Sequence, residues 1–308
     1  MDELRYDGRA VVVTGAGRGI GRAHALLLAA RGARVVVADL GAELDGSGFS
    51  SGPAEDVAAE IRGLGGEAVA CHTSVAAEDD AAVIVTTALD SFGRLDAVVN
   101  NAGISDPAPF TELTVPQYRI MLDVHFFGSL LVTRAAWPHF VRAGYGRVVN
   151  TVSEAMLGGF PEMTSYGSAK SAVFGLTRTL STEGFKHGIR VNALAPRAHT
   201  RMSGSQTNML AEMLSITPQQ VEEINDTMPP ELCAPAAAYL AHESCELTGE
   251  VLQIGMGGVA RIAVVAAAGI NRPALTPEDI AENLPAVMDI TGAPPVGTAP
   301  ISTAAIGG

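Results

Sequence analysis

The stretch Ala10-Val11-Val12-Val13-Thr14-Gly15-Ala16-Gly17-Arg18-Gly19-Ile20-Gly21 decides the fold of this 308-residue chain. Its first four residues predict a buried strand, and the apolar segment from Arg22 to Arg31 predicts a helix that stops at Gly32. Glycines at a turn from strand to helix let the backbone approach a pyrophosphate, which then meets free amides at the helix N-terminus. This stretch therefore predicts a dinucleotide site.

A carboxylate follows the next predicted strand. The apolar residues from Arg34 to Ala38 end on Asp39, about twenty residues beyond the glycines. A carboxylate at this place accepts hydrogen bonds from the adenosine ribose and repels a 2′-phosphate, so it favours NAD over NADP. Arg18 is the opposing signal, because a cation in the glycine turn can bind a 2′-phosphate. We expect Asp39 to dominate, since burying it beside a phosphate would be costly.

Strand and helix patterns alternate along the rest of the chain. Further strands, with helices between them, are predicted at residues 67–72, 95–100, 147–151, 189–194 and 251–254. Such alternation requires right-handed crossovers and gives a parallel sheet covered by helices on both faces. We therefore predict an α/β fold with a doubly wound, seven-stranded parallel sheet of the Rossmann type. It forms a single domain over residues 1–260, followed by a C-terminal extension over residues 261–308.

Composition excludes several classes of function. A formal net charge of −13 argues against binding to nucleic acid or to an anionic membrane surface. The longest apolar stretches are interrupted by arginines, and no signal-like segment opens the chain. Cys71, Cys233 and Cys245 are odd in number and lack metal-ligand spacing, so we expect reduced thiols, no metal and a cytoplasmic protein.

Tyr166 stands four residues before Lys170, which is one of only two lysines in the chain. On a helix this spacing puts both side chains on one face, and an ammonium beside a phenol lowers the phenol pKa from its usual value near ~10. A tyrosine altered in this way can exchange a proton with an alcohol near neutral pH. The alternative is an incidental pair on a helix surface.

Taken together, these features resemble the short-chain dehydrogenase/reductase family over about residues 6–260. The resemblance rests on the glycine turn, on Asn100-Asn101-Ala102-Gly103, and on Ser153 thirteen residues before the Tyr-x-x-x-Lys pair. It implies that Tyr166 is the general acid/base, that Lys170 lowers its pKa and holds the nicotinamide ribose, and that Ser153 hydrogen-bonds the substrate oxygen. The implied reaction interconverts a secondary alcohol and a ketone, with NAD carrying the hydride chemistry.

The cofactor site predicted from these motifs is made of strand ends, the turns after them and the Tyr-Lys pair. Its members are Gly15, Gly17, Arg18, Gly19, Ile20, Gly21, Asp39, Leu40, Ser74, Val75, Asn101, Ala102, Gly103, Tyr166, Lys170 and Pro196.

Two positions depart from the family pattern. His125 stands where the family usually has an asparagine that completes a water relay to the lysine. An imidazole can donate or accept, so His125 either takes part in the relay or is a hydrogen-bonded histidine inside the helix. Arg197 follows Pro196 where the family commonly has glycine, which changes the nicotinamide-side backbone.

Both departures, with segments 133–137, 195–202 and 242–246, resemble the (3R)-hydroxyacyl-CoA dehydrogenase domains of peroxisomal multifunctional type 2 enzymes. This narrower resemblance implies oxidation of a (3R)-hydroxyacyl-CoA to the 3-ketoacyl-CoA. The last residues carry no peroxisomal tripeptide. A hydroxysteroid or other secondary-alcohol dehydrogenase is the alternative. A non-catalytic dinucleotide-sensing regulator is a distant one, because a sensor does not need the altered phenol.

Residues 197–230 are predicted to form a mobile substrate lid. Flexible thioethers suit a pocket for varied apolar chains, although ordinary core methionines are the alternative. The methionines concerned are Met202, Met209, Met213 and Met228. Arg197 and Arg201 are candidates for binding CoA phosphates, with pairing to nearby acids as the other reading.

Surplus apolar residues in the segments at about 115–143 and 165–185 predict a homodimer or homotetramer. The residues concerned, which would otherwise all be internal core, are Phe126, Phe127, Leu130, Phe174 and Leu176. In the C-terminal extension, Thr276 begins a predicted helix that continues to about Leu284. The Pro/Gly-rich stretch from Thr291 predicts an arm that packs across a neighbouring subunit.

Overall fold

A computed structural model describes residues 3–204 and 207–297. The strands, in chain order, are β1 (Ala10–Thr14), β2 (Arg34–Ala38), β3 (Glu67–Cys71), β4 (Ala97–Asn100), β5 (Gly146–Thr151), β6 (Ile189–Pro196), β7 (Val251–Gly255) and β8 (Gly258–Ile262). They form one eight-stranded sheet in the order β3-β2-β1-β4-β5-β6-β7-β8. Strands β1 to β7 pair in parallel, and β8 is antiparallel to β7.

Helices cover both faces of the sheet. They are α1 (Gly19–Ala30), α2 (Gly52–Gly63), α3 (Glu78–Phe92), α4 (Val115–Leu122), α5 (Gly128–Ala143), α6 (Thr164–Phe185), α7 (Arg201–Gly204), α8 (Thr207–Leu214), α9 (Pro218–Asn225), α10 (Ala234–Ala241), α11 (Pro277–Glu282) and α12 (Leu284–Met288). A π-helical segment, Asp123–Phe127, joins α4 to α5. Helices α1, α2 and α10 pack on one face, and α3, α5 and α6 on the other.

The valines of β1 show why this sequence forms a central strand. Side chains alternate between the two faces of a strand, and here both faces are covered. Val11 and Val13 belong to the core under α1, α2 and α10, whereas Val12 belongs to the core under α3 and α5. All three are fully buried. The fold predicted from the sequence, a doubly wound α/β sheet of the Rossmann type, is therefore confirmed.

The expected number of strands was wrong, because the sheet has an eighth strand. A two-residue turn at Met256 and Gly257, both with positive φ (52° and 75°), leads from β7 into β8. Positive φ at both central residues is typical of the hairpin turns that match the twist of antiparallel strands. Four of the five β8 residues are exposed, so this edge strand lacks the buried apolar run by which the others are recognised.

The described part of the C-terminal extension folds back on itself and contacts helix α6 of the same chain. Val265 forms an isolated bridge with Pro295, and the Arg178 guanidinium on α6 donates to the Val296 carbonyl over 2.8 Å. The helix predicted from Thr276 is present as two short helices, α11 and α12, neither of which has a buried residue. Residues 298–308 of the predicted arm lie outside the described residues.

Two further expectations concern the cysteines and membranes. The three cysteines are buried free thiols. Within residues 3–204 and 207–297, no helix has the length and apolar character that crossing a membrane requires.

Candidate active site

A cleft of about 1010 Å³ lies beyond the carboxyl ends of the strands. The strand order reverses between β1 and β4, which is where ligands bind in open α/β sheets. Every predicted cofactor residue except Gly17 lines this cleft, and so do Ser153 and His125. The structure therefore brings together residues that are up to 181 positions apart in the sequence, from Gly15 to Pro196.

The glycine turn has no room for side chains. A Cβ on Gly15 would lie 2.7 Å from Ala102 Cα, and one on Gly21 would lie 2.1 Å from the Gly15 carbonyl oxygen. Gly17 does not line the cleft because it packs against Pro53. Arg18 is the N-cap of α1 but makes no side-chain cap hydrogen bond, so the first amides of the helix are available to an anion. The turn fits a pyrophosphate.

Thr14, which the sequence analysis did not single out, holds the turn to the end of β4. Its hydroxyl accepts hydrogen bonds from the amides of Asn101 (3.0 Å) and Ala102 (3.1 Å). The Asn101 side chain donates in turn to the carbonyls of Thr14 and Gly15, each over 3.1 Å. A small hydroxyl residue just before the first glycine is the signal that could have identified this contact.

Asp39 lies at the end of β2, as expected, and its carboxylate organises the backbone around it. One oxygen accepts from the Gly17 amide and the other from the Gly41 amide, both over 2.7 Å. Each carboxylate oxygen has a second lone pair, so these bonds still allow it to accept from ribose hydroxyls. The first bond fixes the glycine turn, which was not anticipated from the sequence.

Ser153, Tyr166 and Lys170 meet at the centre of the cleft. The Lys170 ammonium is buried, donates to the Thr151 carbonyl over 2.7 Å and lies 5.5 Å from the centre of the Tyr166 ring. Burial lowers the pKa of Lys170 to about 7. Burial also raises the pKa of Tyr166 to about 12, and the hydrogen bond with Ser153 acts in the opposite direction.

The direction of the Tyr166 shift differs from the lowering expected from the sequence. The reason is that Lys170 directs its proton to a backbone carbonyl while the phenol loses hydration. Spacing along a helix places the two side chains together, but it does not reveal how deeply they are buried.

His125 lies on the π-helical segment and faces Tyr166 edge-on, with 5.2 Å between the ring centres. Its Nε2 is 2.9 Å from the Ile104 carbonyl oxygen and 3.1 Å from the Ile104 amide, so the tautomer decides which of them it bonds. Burial first, and the charge of Lys170 second, keep the pKa of His125 well below its usual value. The imidazole is therefore neutral at physiological pH and sits at the site.

Arg197 and Arg201 both pair within the protein, which is the alternative given for them in the sequence analysis. Arg197 forms a bidentate pair with Glu154, at 2.6 and 2.7 Å. Arg201 donates to the Ala42 carbonyl over 2.8 Å. Glu154 was not predicted, because nothing in its local sequence indicates a partner 43 positions away.

The methionines of the predicted lid divide into two groups. Met202 and Met228 line the cleft. Met209 and Met213, on α8, are half-buried elsewhere.

Within the described residues, no cluster of three or more His, Cys, Asp or Glu side chains is arranged to hold a metal ion.

Comparison with known proteins identifies the family. The family model for short chain dehydrogenase matches residues 9–211. A Mycobacterium tuberculosis protein named as a short-chain type dehydrogenase/reductase is 44% identical over 92% of this chain and 96% of its own. Peroxisomal multifunctional enzyme type 2 of Mus musculus is 40% identical over 98% of this chain, which spans only 40% of the mouse enzyme.

A solved structure is similar over its whole length. The crystal structure of a short chain dehydrogenase from Mycobacterium avium superimposes with a TM-score of 0.77 at 35% identity, covering 96% of this chain and 99% of that one. The sequence, the sheet and the cleft agree: the chain belongs to the short-chain dehydrogenase/reductase family and is an oxidoreductase.

Proposed function

We propose that this oxidoreductase uses NAD to interconvert a (3R)-3-hydroxyacyl-CoA and the 3-ketoacyl-CoA. The observation that carries the proposal is the meeting of Ser153, Tyr166 and Lys170 in one cleft with the glycine turn and Asp39. The acyl-CoA substrate rests on the likeness to multifunctional enzyme type 2, which extends over nearly the whole chain.

The roles of the side chains follow from their chemistry and position. Tyr166 accepts the proton of the substrate hydroxyl, and the Ser153 hydroxyl holds the substrate oxygen next to it. The Lys170 ammonium donates a hydrogen bond to the Thr151 carbonyl, which fixes the ammonium next to Tyr166. The glycine turn and Asp39 would hold NAD, which would supply the hydride acceptor for this reaction. The protein thus contributes positioning and proton transfer.

His125 is proposed to extend the proton path from Lys170. Its Nδ1 is buried and has no hydrogen-bond partner among the described residues, although the ring lines the cleft. An unpaired buried nitrogen is costly unless a polar group reaches it. A neutral imidazole next to Tyr166 and Lys170 can both accept and donate a proton, as a relay requires.

The substrate part of the cleft is apolar, which suits an acyl chain. The side chains that provide this lining are Phe160, Met163, Met202, Leu210 and Met228. The proposal is tested by initial rates of NAD reduction with (3R)-hydroxyacyl-CoAs of several lengths and with hydroxysteroids. Faster turnover of the steroids would replace the proposed substrate, and the absence of turnover with every alcohol would favour a dinucleotide sensor.

Replacing Asp39 with alanine should raise the use of NADP and weaken the binding of NAD. The change removes a charge that repels a 2′-phosphate, and it also removes hydrogen bonds to the ribose and to the Gly17 amide. The measurement is kcat/KM with each cofactor for the wild type and the variant. A wild-type preference for NADP would show that Arg18 outweighs Asp39.

We further propose that the chain forms a homodimer or homotetramer through α4, α5 and α6. In the isolated chain none of the five surplus apolar residues is fully buried, and Phe127 is 42% exposed. A stable monomer at micromolar concentration in light scattering would contradict this proposal.

Deleting residues 291–308 should lower the melting temperature or loosen the oligomer while leaving NAD affinity nearly unchanged. The deletion removes the carbonyls of Val296 and Gly297 that bond to Arg178 on α6, far from the glycine turn. Thermal melts, light scattering and NAD titration measure the three properties. A truncated protein with wild-type melting temperature and assembly would show that the extension is not an arm.

A further inference from the structure

The loop after β2, residues 41–50, is fixed at both sides of the cleft. Its ends meet, because the Ser50 amide donates to the Leu40 carbonyl over 3.0 Å. On the far side of the cleft, the Ser105 amide donates to the Leu44 carbonyl over 2.9 Å. Residues 42–47 of the loop line the cleft. The loop therefore lies over the part of the site that begins at Asp39.

Two arginines from different parts of the chain converge on this loop. Arg18, in the glycine turn, donates to the Ala42 carbonyl over 3.3 Å. Arg201, at the start of α7, donates to the same carbonyl over 2.8 Å. Two guanidinium groups that share one neutral acceptor repel each other, so a nearby anion stabilises the arrangement.

Glu43 supplies that negative charge. Its Oε2 lies 3.5 Å from Arg201 Nη1. Asp39 does not neutralise these arginines, because its oxygens accept hydrogen bonds from the amides of Gly17 and Gly41. The Arg201 side chain is 43% exposed and that of Glu43 is 71% exposed, so solvent screens the ion pair and limits its effect on cofactor affinity to several-fold. Without Glu43, the two guanidiniums would form a receptor suited to a phosphate dianion.

We propose that Glu43 is a second residue that determines cofactor specificity. Glu43 holds Arg201 away from a 2′-phosphate, and the Ala42 carbonyl that both arginines share holds Arg18 away as well. Discrimination against NADP then depends on two carboxylates: Asp39 repels the phosphate, and Glu43 occupies the cations that would attract it. The inference rests on the proposed use of NAD. It also implies that Asp39→Ala alone relaxes cofactor choice only partly.

Calorimetric titration of the cofactor-free protein with NAD and with NADP tests this inference, because the two ligands differ only by the 2′-phosphate. Glu43→Gln should raise NADP affinity at least about fivefold and change NAD affinity less than about twofold. Adding Arg201→Met to Glu43→Gln should abolish the gain.

Asp45→Asn is the matched control. Asp45 lies in the same loop, lines the cleft and carries the same charge, but its carboxylate accepts from the Ser47 amide over 2.9 Å. The variant should leave NADP affinity unchanged.

Each other outcome is decisive. An unchanged NADP affinity in Glu43→Gln, an equal gain in Asp45→Asn, or a gain that survives Arg201→Met would each overturn the inference. Tighter binding of NADP than of NAD by the wild type would instead overturn the proposed cofactor. Thermal melts of all variants establish that they are folded.

Discussion

The Tyr166→Phe variant should lose at least ~10² in kcat while remaining folded. The substitution removes the hydroxyl that accepts the substrate proton and keeps the ring, so the edge-on contact with His125 is preserved. Phenylalanine has no oxygen that can exchange a proton with the substrate at this position, so the proton-transfer step loses its acid/base group. Steady-state rates at saturating NAD and substrate measure the effect.

Tyr118→Phe is the matched control for this experiment. Tyr118 lies on α4, and its buried hydroxyl has no hydrogen-bond partner among the described residues. Removing that hydroxyl should leave kcat within about twofold of the wild type. Turnover retained by Tyr166→Phe, with wild-type melting temperature, would contradict the assignment of the general base.

The parts of the fold that the sequence predicted are those whose signal is local. Buried valine runs mark β1 and β2 because both faces of the sheet are covered, and the predicted bounds of β2 coincide with those observed. Strand β8 was missed because its pairing depends on a turn at Met256 and on a mostly exposed edge. The residues of β8 are held by backbone hydrogen bonds to β7 and not by burial of apolar side chains. A hydrophobic-periodicity pattern therefore does not detect this strand.

At the site, residue identity and spacing predicted which side chains would meet, but not how they are bonded. Ser153, Tyr166 and Lys170 come together because strand ends and α6 converge on one cleft. The bonds from Arg197 to Glu154 and from Arg201 to Ala42 join residues 43 and 159 positions apart. A single sequence carries no information about such pairs, because each arginine has many possible acidic or carbonyl partners. The raised pKa of Tyr166 was missed for a related reason, since burial is a property of the whole fold.

Replacing Lys170 with methionine should lower kcat/KM by at least ~10², move the remaining activity to higher pH and weaken NAD binding. Methionine keeps most of the side-chain volume but removes the ammonium next to Tyr166. In the cofactor-free protein burial and Ser153 determine the Tyr166 pKa. The expected shift to higher pH therefore depends on the ammonium stabilising the phenolate when NAD and substrate are bound. Rates measured as a function of pH and NAD titration report the two effects. Lys186→Met is the control, because Lys186 is exposed at the end of α6.

Measuring the free energy of unfolding as a function of pH distinguishes a loss of activity in Lys170→Met from a loss of folding. The lowered pKa of Lys170 fixes the direction in which the stability of the wild type changes with pH. Burial lowers the pKa of Lys170 to about 7 in the folded protein, whereas an unfolded chain keeps a value near ~10.4. Between these values the unfolded chain binds more protons, so stability falls as pH falls, by up to about 1.4 kcal/mol per pH unit. Lys170→Met should therefore show a smaller loss of stability than the wild type between pH ~10 and ~7. An inactive variant with the wild-type pH slope would mean that burial does not lower the pKa of Lys170 in the folded protein, and the assigned role would have to be abandoned.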